Sequence, residues 1–206
     1  RLWFNYENVN GLDIWNNSYA IPAGKKYKYG WIKVDSITMA SNIKRRKEGD
    51  KGIIQYAANW IDQQKNVLRE ENTILLFSAT QGERIIDRST TLTAVQDVSF
   101  PDSKDGMLGM RVTKELQIPS NTPGEFVDDK GNITKVAAGN SPDINGNYLT
   151  SEGRTGDSAW GTRGAWCMLY GKKGPDTLSI LIIDHPQNPG YPTYWHARGY
   201  GLFAAN

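Results

Sequence analysis

The chain has 206 residues, of which 38% are hydrophobic, and its 24 basic and 22 acidic residues give a formal net charge of +2. This balance argues against a nucleic-acid-binding protein, which usually presents a strongly basic face. No segment approaches the roughly 20 apolar residues of a membrane-spanning helix. The single cysteine, Cys167, cannot form an internal disulfide and lies in an apolar run, where we expect a buried structural thiol.

Alternation of apolar and polar residues, the pattern of half-buried β-strands, dominates the chain. A bulge or turn is expected at 70–72, and no convincing amphipathic helix is present. Many strands separated by short turns predict an all-β fold, an antiparallel β-sandwich, with residues 1–206 as a single domain. In chain order, the predicted strands are 31–40, 52–62, 67–78, 84–100, 108–116, 164–170, 177–184, 193–197 and 200–205.

Two segments between these strands differ from ordinary turns. The basic cluster 44–47 is followed at once by Glu, Gly and Asp, so we expect a solvated hairpin tip. Residues 120–154 are polar, rich in Gly, Asn and Pro, and too long for an ordinary connection. They predict a functional loop or a short hairpin excursion.

Both ends of the sequence suggest a piece of a longer chain. The first residue is Arg1 rather than Met, and Asn206 stops within a predicted strand. We therefore expect the domain to be truncated at both ends. If the missing N-terminal part carries a signal peptide, a periplasmic or secreted location is favoured. The oligomeric state stays open.

The strand predicted at 108–116 carries a polar face. Its alternation places Arg111 and Glu115 opposite an apolar face. That polar face is either solvated surface or the floor of a polar cleft. In a cleft, Glu115 could act as an acid or a base if its neighbours tune its pKa.

A second candidate region is the Gly-rich segment 152–166. Trp160 can stack on the apolar face of a sugar ring, while Asp157 and Arg163 can make charge-assisted hydrogen bonds to hydroxyl groups. The alternative is a structural corner in which Arg163 pairs with Asp157.

The best pointer to a site is the segment 183–203, which holds both histidines of the chain, His185 and His196. Histidine titrates near neutral pH and commonly serves as acid, base or metal ligand. The preceding run, 178–183, is apolar at nearly every position, which predicts a central strand buried on both faces. Prolines should stiffen the loop 187–192.

A hairpin between 177–184 and 193–197 would decide which of these side chains meet. With symmetric pairing, alternation puts Asp184, His196 and Arg198 on one face, together with Tyr194. His185 then points to the other face. The alternative for each histidine is a hydrogen bond to the loop backbone.

A family resemblance extends over nearly the whole chain. The motifs that carry it are Gly11-Leu12-Asp13-Ile14-Trp15, Gly106-x-x-Gly109-x-Arg111, Trp160-Gly161-x-Arg163, Asp184-His185-Pro186-x-Asn188-Pro189 and Trp195-His196-x-Arg198-x-Tyr200. With them the chain resembles a bacterial family that is labelled "methane oxygenase PmoA" or described as a domain of unknown function. The resemblance implies a β-sandwich, akin to the mutarotase-like sugar enzymes with their supersandwich, and a setting in carbohydrate metabolism. Members of this family extend beyond both ends of this chain.

The leading interpretation is a bacterial protein that binds or transforms a sugar by acid/base chemistry. His196 or His185 would be the acid or base, and Asp184 would orient it. Arg198 or Arg111 would stabilise developing oxyanion charge. The further substrate-binding residues expected are Asp157, Trp160, Arg163, Asn188 and Tyr194.

Two other functions stay open. A non-catalytic carbohydrate-binding or interaction module fits the Trp and Tyr content equally well. A metal enzyme would use His185, His196 and a carboxylate, although the hairpin places the two histidines on opposite faces. The leading interpretation needs neither a cofactor nor a metal, and its expected partner is a carbohydrate or another small polar ligand.

Overall fold

The structure, a computed structural model, describes residues 1–17, 21–40, 51–120, 123–127, 133–136 and 141–206. The strands of these residues pair in antiparallel sheets, which confirms the predicted all-β fold. They are β1 (Leu2–Phe4), β2 (Trp31–Ala40), β3 (Gly52–Ile61), β4 (Val67–Ala79), β5 (Arg84–Ala94), β6 (Leu108–Arg111), β7 (Gly124–Val127), β8 (Ile133–Val136), β9 (Asn147–Thr150), β10 (Trp166–Lys173), β11 (Asp176–Ile183), β12 (Trp195–Ala197) and β13 (Leu202–Ala205). The helices among them are short 3-10 turns at Ala23–Lys28, Lys114–Leu116 and Gly156–Ala159.

The chain divides into two compact units. The first comprises Arg1–Glu7 and Asp102–Asn206, with a short stretch around residues 21–23, and the second comprises Asn8–Asn17 and Gly24–Pro101. A single domain truncated at both ends stays a prediction. The basic cluster 44–47 lies outside the described residues.

The first unit is an antiparallel β-sandwich. One sheet has the strand order β1-β6-β13-β12 and the other has the order β11-β10-β9. Both sheets contribute to one core, in which the rings of Tyr148 and Phe203 meet edge to face with 5.3 Å between centroids. Cys167 lies in this core, and burial raises the pKa of its thiol to about 12, which confirms the buried, unreactive thiol.

Strand β11 differs from its prediction. It is the edge strand of its sheet rather than a central one. Ile182 is buried against the core, but Leu181 is 50% exposed and Ile183 is 68% exposed. The apolar run therefore reflects a strand with one covered face, and its composition alone was misleading.

The segment 120–154 contains more regular structure than a loop. Strands β7 and β8 form a two-stranded antiparallel pair within it. Strand β9 then joins the sandwich beside β10, with Tyr148 and Thr150 buried. Strand β9 is difficult to predict from the sequence, because it has only four residues and lies in a segment rich in Gly, Asn and Asp.

The second unit contains a four-stranded antiparallel sheet in the order β2-β3-β4-β5. Strand β4 runs regularly through residues 70–72, where a bulge or turn was expected; the register shift lies nearer its start, opposite Trp60 and Ile61. The segments that precede and follow this sheet pair with each other, since the N–H of Asn10 donates to the Ser99 carbonyl at 3.1 Å.

A tight contact connects the sandwich to the Lys114–Leu116 helix. The N–H of Gly146, just before β9, donates to the Gln117 carbonyl at 2.8 Å. A methyl group on Gly146 would collide with the backbone carbonyl of Leu116, which cannot move aside like a flexible side chain. Only glycine allows this close approach of two backbone segments.

We expect Gly146→Ala to lower the free energy of unfolding by roughly 2–3 kcal/mol, since overpacking forces a backbone shift. Urea unfolding of the two proteins measures the difference. The matched control is Gly24→Ala, because nothing lies within 4 Å of a methyl group there. Equal stability of the two variants would contradict this account of the contact.

Candidate functional site

A cleft of about 310 Å³ opens in the first unit. This volume lies at the lower end of the range of roughly 300–1,000 Å³ for small-molecule pockets. The lining combines aromatic rings, a histidine and charged side chains. Its residues are Asp102, Ser103, Lys104, Trp160, Gly161, Tyr194, Trp195, His196 and Asn206.

His196 lies on β12 and is only 5% exposed, and both of its ring nitrogens have partners. Nδ1 lies 3.2 Å from the backbone carbonyl of Lys104 and 3.1 Å from Oδ1 of Asp105. Nε2 lies 3.3 Å from the Nε–H of Arg198, which donates to it. This set of partners fits a neutral imidazole that carries its proton on Nδ1 and accepts at Nε2.

Asp105 is the charged partner of this histidine. Burial by itself raises the pKa of the Asp105 carboxyl, but His196, and after it Lys104, offset this effect and hold the pKa below its ordinary value. Its Oδ1 has no well-aligned hydrogen-bond donor among the described residues, so it meets Nδ1 of His196 in a close polar contact.

The sequence shows Asp105 only as part of an Asp-Gly turn, and we did not predict its role. It lies 91 positions before His196, and no local pattern joins the two. They meet because β13 pairs with β12 on one side and with β6 on the other. The one available signal was a carboxylate placed directly before a predicted strand.

Trp160 forms one aromatic wall of the cleft. Its indole is 44% exposed and follows the Gly156–Ala159 helix, whose first turn is closed by a capping box between Thr155 and Ser158. The guanidinium of Arg198 lies 4.0 Å from the centre of the indole ring. Arg198 therefore joins His196 to Trp160, through a hydrogen bond at one end and a cation–π contact at the other.

Tyr194 forms a second aromatic wall and is 43% exposed. The guanidinium of Arg163 lies 4.4 Å from its ring centre. Arg163 also donates from Nη1 to the carbonyls of Gly190 and Pro192, each at 3.2 Å. Arg163 thus fixes both the ring and the loop before it, and the alternative pairing with Asp157 is not seen.

The hairpin predicted between 177–184 and 193–197 is wrong. Strands β11 and β12 belong to different sheets, so their side chains do not share a face by strand pairing. Asp184 instead accepts from the side chain of Asn188 at 2.8 Å and from the N–H of Thr193 at 2.9 Å. It orients the loop, whereas Asp105 is the carboxylate beside His196.

His185 and Asn188 also serve this loop. His185 is exposed, and its Nδ1 accepts from the N–H of Gln187 at 3.2 Å. This contact is the loop-backbone alternative considered for each histidine. The two histidines therefore have separate sets of partners.

The polar strand predicted at 108–116 ends early. Strand β6 stops at Arg111, and Glu115 lies in the following 3-10 helix, so alternation does not place the two on one face. Arg111 donates to the Tyr200 carbonyl at 3.3 Å. Glu115 accepts from the Thr113 hydroxyl, which lowers the pKa of its carboxyl. Neither residue, nor the exposed Asp157, is among the described residues that line the cleft.

No group of three or more His, Cys, Asp and Glu side chains in the described ranges is arranged to hold a metal ion. Nor does any helix within them have the length and hydropathy to cross a membrane.

Comparison with known proteins identifies a family and no relative of known function. The profile of the family of unknown function DUF6807 matches residues 2–206, so the chain belongs to that family. No curated protein and no solved structure matches the chain significantly.

We expect Asp105→Asn to destabilise the protein in a pH-dependent way. Because the pKa of Asp105 is lower in the folded than in the unfolded chain, its carboxylate stabilises the fold above the unfolded value, near pH 4. This contribution is lost as the pH falls through the folded value. The variant should therefore lose roughly 1–3 kcal/mol near neutral pH and approach the wild type in acid.

Urea unfolding between about pH 3 and pH 7 measures this dependence. Asp143→Asn, which replaces an exposed carboxylate, is the control and should follow the wild type throughout. A loss for Asp105→Asn that stays constant down to the lowest pH would show that the charge of Asp105 is not the cause.

Proposed function

We propose that this member of the DUF6807 family binds a carbohydrate in the cleft of its first unit. The observation that carries the proposal is the pair of half-exposed aromatic rings, Trp160 and Tyr194, that line the same cleft as His196. Each ring has an arginine guanidinium against it. A sugar ring presents apolar C–H faces and polar edges, and this lining offers partners for both.

The aromatic rings would take the apolar faces of the sugar. An indole or phenol ring gains contact area with C–H groups at little conformational cost. The guanidinium groups of Arg163 and Arg198 hold their rings in one orientation, so the cleft is largely pre-organised. Pre-organisation reduces the entropy that binding must overcome.

Charged and polar side chains of the cleft would take the sugar hydroxyls. Lys104 is well exposed in the lining and can donate, while Asp102 can accept two hydrogen bonds. The family resemblance implies a sandwich akin to that of mutarotase-like sugar enzymes, and this implied kinship favours the same class of ligand. The earlier assignments of Asp157, Asn188 and Arg111 to substrate binding stay predictions.

We expect Trp160→Ala and Tyr194→Ala each to weaken sugar binding about tenfold, because a lost stacking contact is worth roughly 1 kcal/mol or more. Calorimetric titration with a panel of neutral hexoses and hexuronic acids identifies the ligand first. Tyr27→Ala is the control, since Tyr27 is 64% exposed and belongs to the second unit. Binding that is unchanged in both cleft variants would overturn the proposal.

A second candidate function is proton transfer at the bound sugar, and the pairing of His196 with Asp105 favours it. In such a step Nε2 of His196 takes the proton from a C–H next to the carbonyl of the open-chain sugar. The C–H electron pair forms a C=C bond, and the π electrons of the carbonyl move to its oxygen, which becomes an oxyanion. Asp105 would stabilise the imidazolium that forms. Arg198, displaced from Nε2 by the substrate, would face the developing oxyanion.

We expect His196→Gln to lower the rate of such a reaction by about 10²-fold or more, since general acid/base catalysis contributes on this scale. Proton NMR of the sugar that binds, followed in D₂O, detects deuterium uptake, epimerisation or elimination. His185→Gln is the matched control and should keep the wild-type rate. If His196→Gln still binds the sugar, and neither this variant nor the wild type turns the sugar over, the result would favour the non-catalytic module.

Other properties implied by the resemblance remain proposals. The likeness to proteins labelled "methane oxygenase PmoA" and the place in carbohydrate metabolism await an identified ligand. The metal enzyme built on both histidines has less support, because His185 and His196 have separate partners.

A further inference from the structure

A buried arginine with two unpartnered donor atoms lies in the second unit. Arg69, on β4, is only 2% exposed, and its Nε and Nη2 atoms have no hydrogen-bond partner among the described residues. Buried donors of this kind are costly, since they lose water and gain nothing in return. Most of them in folded proteins have a partner, so an exception indicates a role.

The neighbouring carboxylate does not accept from either of these two donors. Glu71, two residues along β4, receives four hydrogen bonds of 2.7–2.8 Å, and its donors are Tyr56, Trp60, Thr73 and Arg88. Its charge is matched by Arg88, at 2.8 Å. Two arginines thus share one carboxylate on this sheet, so one positive charge is in excess among these three side chains.

Aromatic rings hold the Arg69 guanidinium in one plane. Its central carbon lies 3.4 Å from the ring centre of Trp60 and 4.1 Å from that of Phe100. Trp60 is itself fixed, because its Nε1–H donates to Glu71 at 2.8 Å. Phe100 is 40% exposed and forms the accessible side of this clamp. Burial lowers the pKa of Arg69 to about 9, so the group still carries its charge at neutral pH.

The two atoms without partners define what the group can recognise. Nε and Nη2 lie along the same edge of the planar guanidinium, and their N–H bonds run parallel. This edge matches two oxygens of a carboxylate or phosphate, which accept such bonds in bidentate fashion. A neutral hydroxyl or a single halide would satisfy only one of the two donors.

We propose that the Nε–Nη2 edge of Arg69 is the recognition element of a second ligand site, which takes a small oxyanion, a carboxylate or a phosphate group. The ligand enters from the side of Phe100 and compensates the charge that Glu71 leaves unmatched. Its residues lie in the second unit, whereas those that line the sugar cleft lie in the first.

Thermal unfolding in acetate, phosphate and chloride at equal ionic strength tests the proposal on the whole chain. Acetate, phosphate or both should raise the melting temperature above that in chloride, by about 5 °C at saturation, because they bind only the folded state. A rise in acetate alone identifies a carboxylate ligand, and one in phosphate alone a phosphate ligand. Equal melting temperatures in all three salts would overturn the site.

Four variants locate the effect. Arg69→Met should abolish the rise and increase the melting temperature in chloride, since it removes an unmatched buried charge. Arg69→Lys keeps the charge but loses the parallel donors, so it should lose more than half of the rise. Arg84→Met removes an exposed arginine of the same sheet and should behave like the wild type.

Lys104→Gln tests the sugar cleft as the source of the effect. If this variant loses the rise in melting temperature while Arg69→Met keeps it, the anion binds in the cleft instead.

NMR of the arginine Nε–H groups gives a second readout that does not depend on a folded Arg69→Met. The Arg69 signal is assigned by its disappearance in Arg69→Lys. It should shift on addition of acetate or phosphate and exchange more slowly with water. A signal that does not respond to either anion would contradict the proposal.

Discussion

The candidate site depends on the antiparallel pairing of strand β13 with two neighbours. Ala204 of this strand pairs with His196 of β12 on one side and with Gly109 of β6 on the other. This register brings the segment before β6, with Lys104 and Asp105, to the ring of His196. Because the side chains of a strand alternate with a period of two, a shift of one residue would turn His196 away from this carboxylate.

Arginine stacked on an aromatic ring recurs throughout the structure and has a different consequence at each place. In the cleft, Arg198 and Arg163 lie against half-exposed rings and keep them oriented towards a ligand. On the four-stranded sheet, the same contact buries Arg69 against Trp60. The same contact occurs in both settings, so exposure of the ring, rather than the contact itself, distinguishes a ligand surface from a buried charge.

The sheet of the second unit shows how alternation can conceal a polar core. Residues 69, 71 and 73 point to one face of β4, and all three are buried although none is apolar. A hydrophobicity pattern therefore gave no sign of an inner face there, and a bulge or turn was expected instead. Glu71 is stable in this position because both of its oxygens accept hydrogen bonds, a property of the folded neighbourhood and not of the segment.

Local pattern determined the parts of this protein that depend on local physics. The period of two in the side chains predicted the all-β class and most strand positions, and an apolar neighbourhood predicted the buried Cys167. The aromatic and histidine content indicated the region of the cleft, including Trp160 and His196. Tertiary structure alone decided that β11 is an edge strand, that Asp184 orients a loop and that Asp105 meets His196. The reason is that strand pairing joins residues about a hundred positions apart, and no sequence period encodes which strands become neighbours.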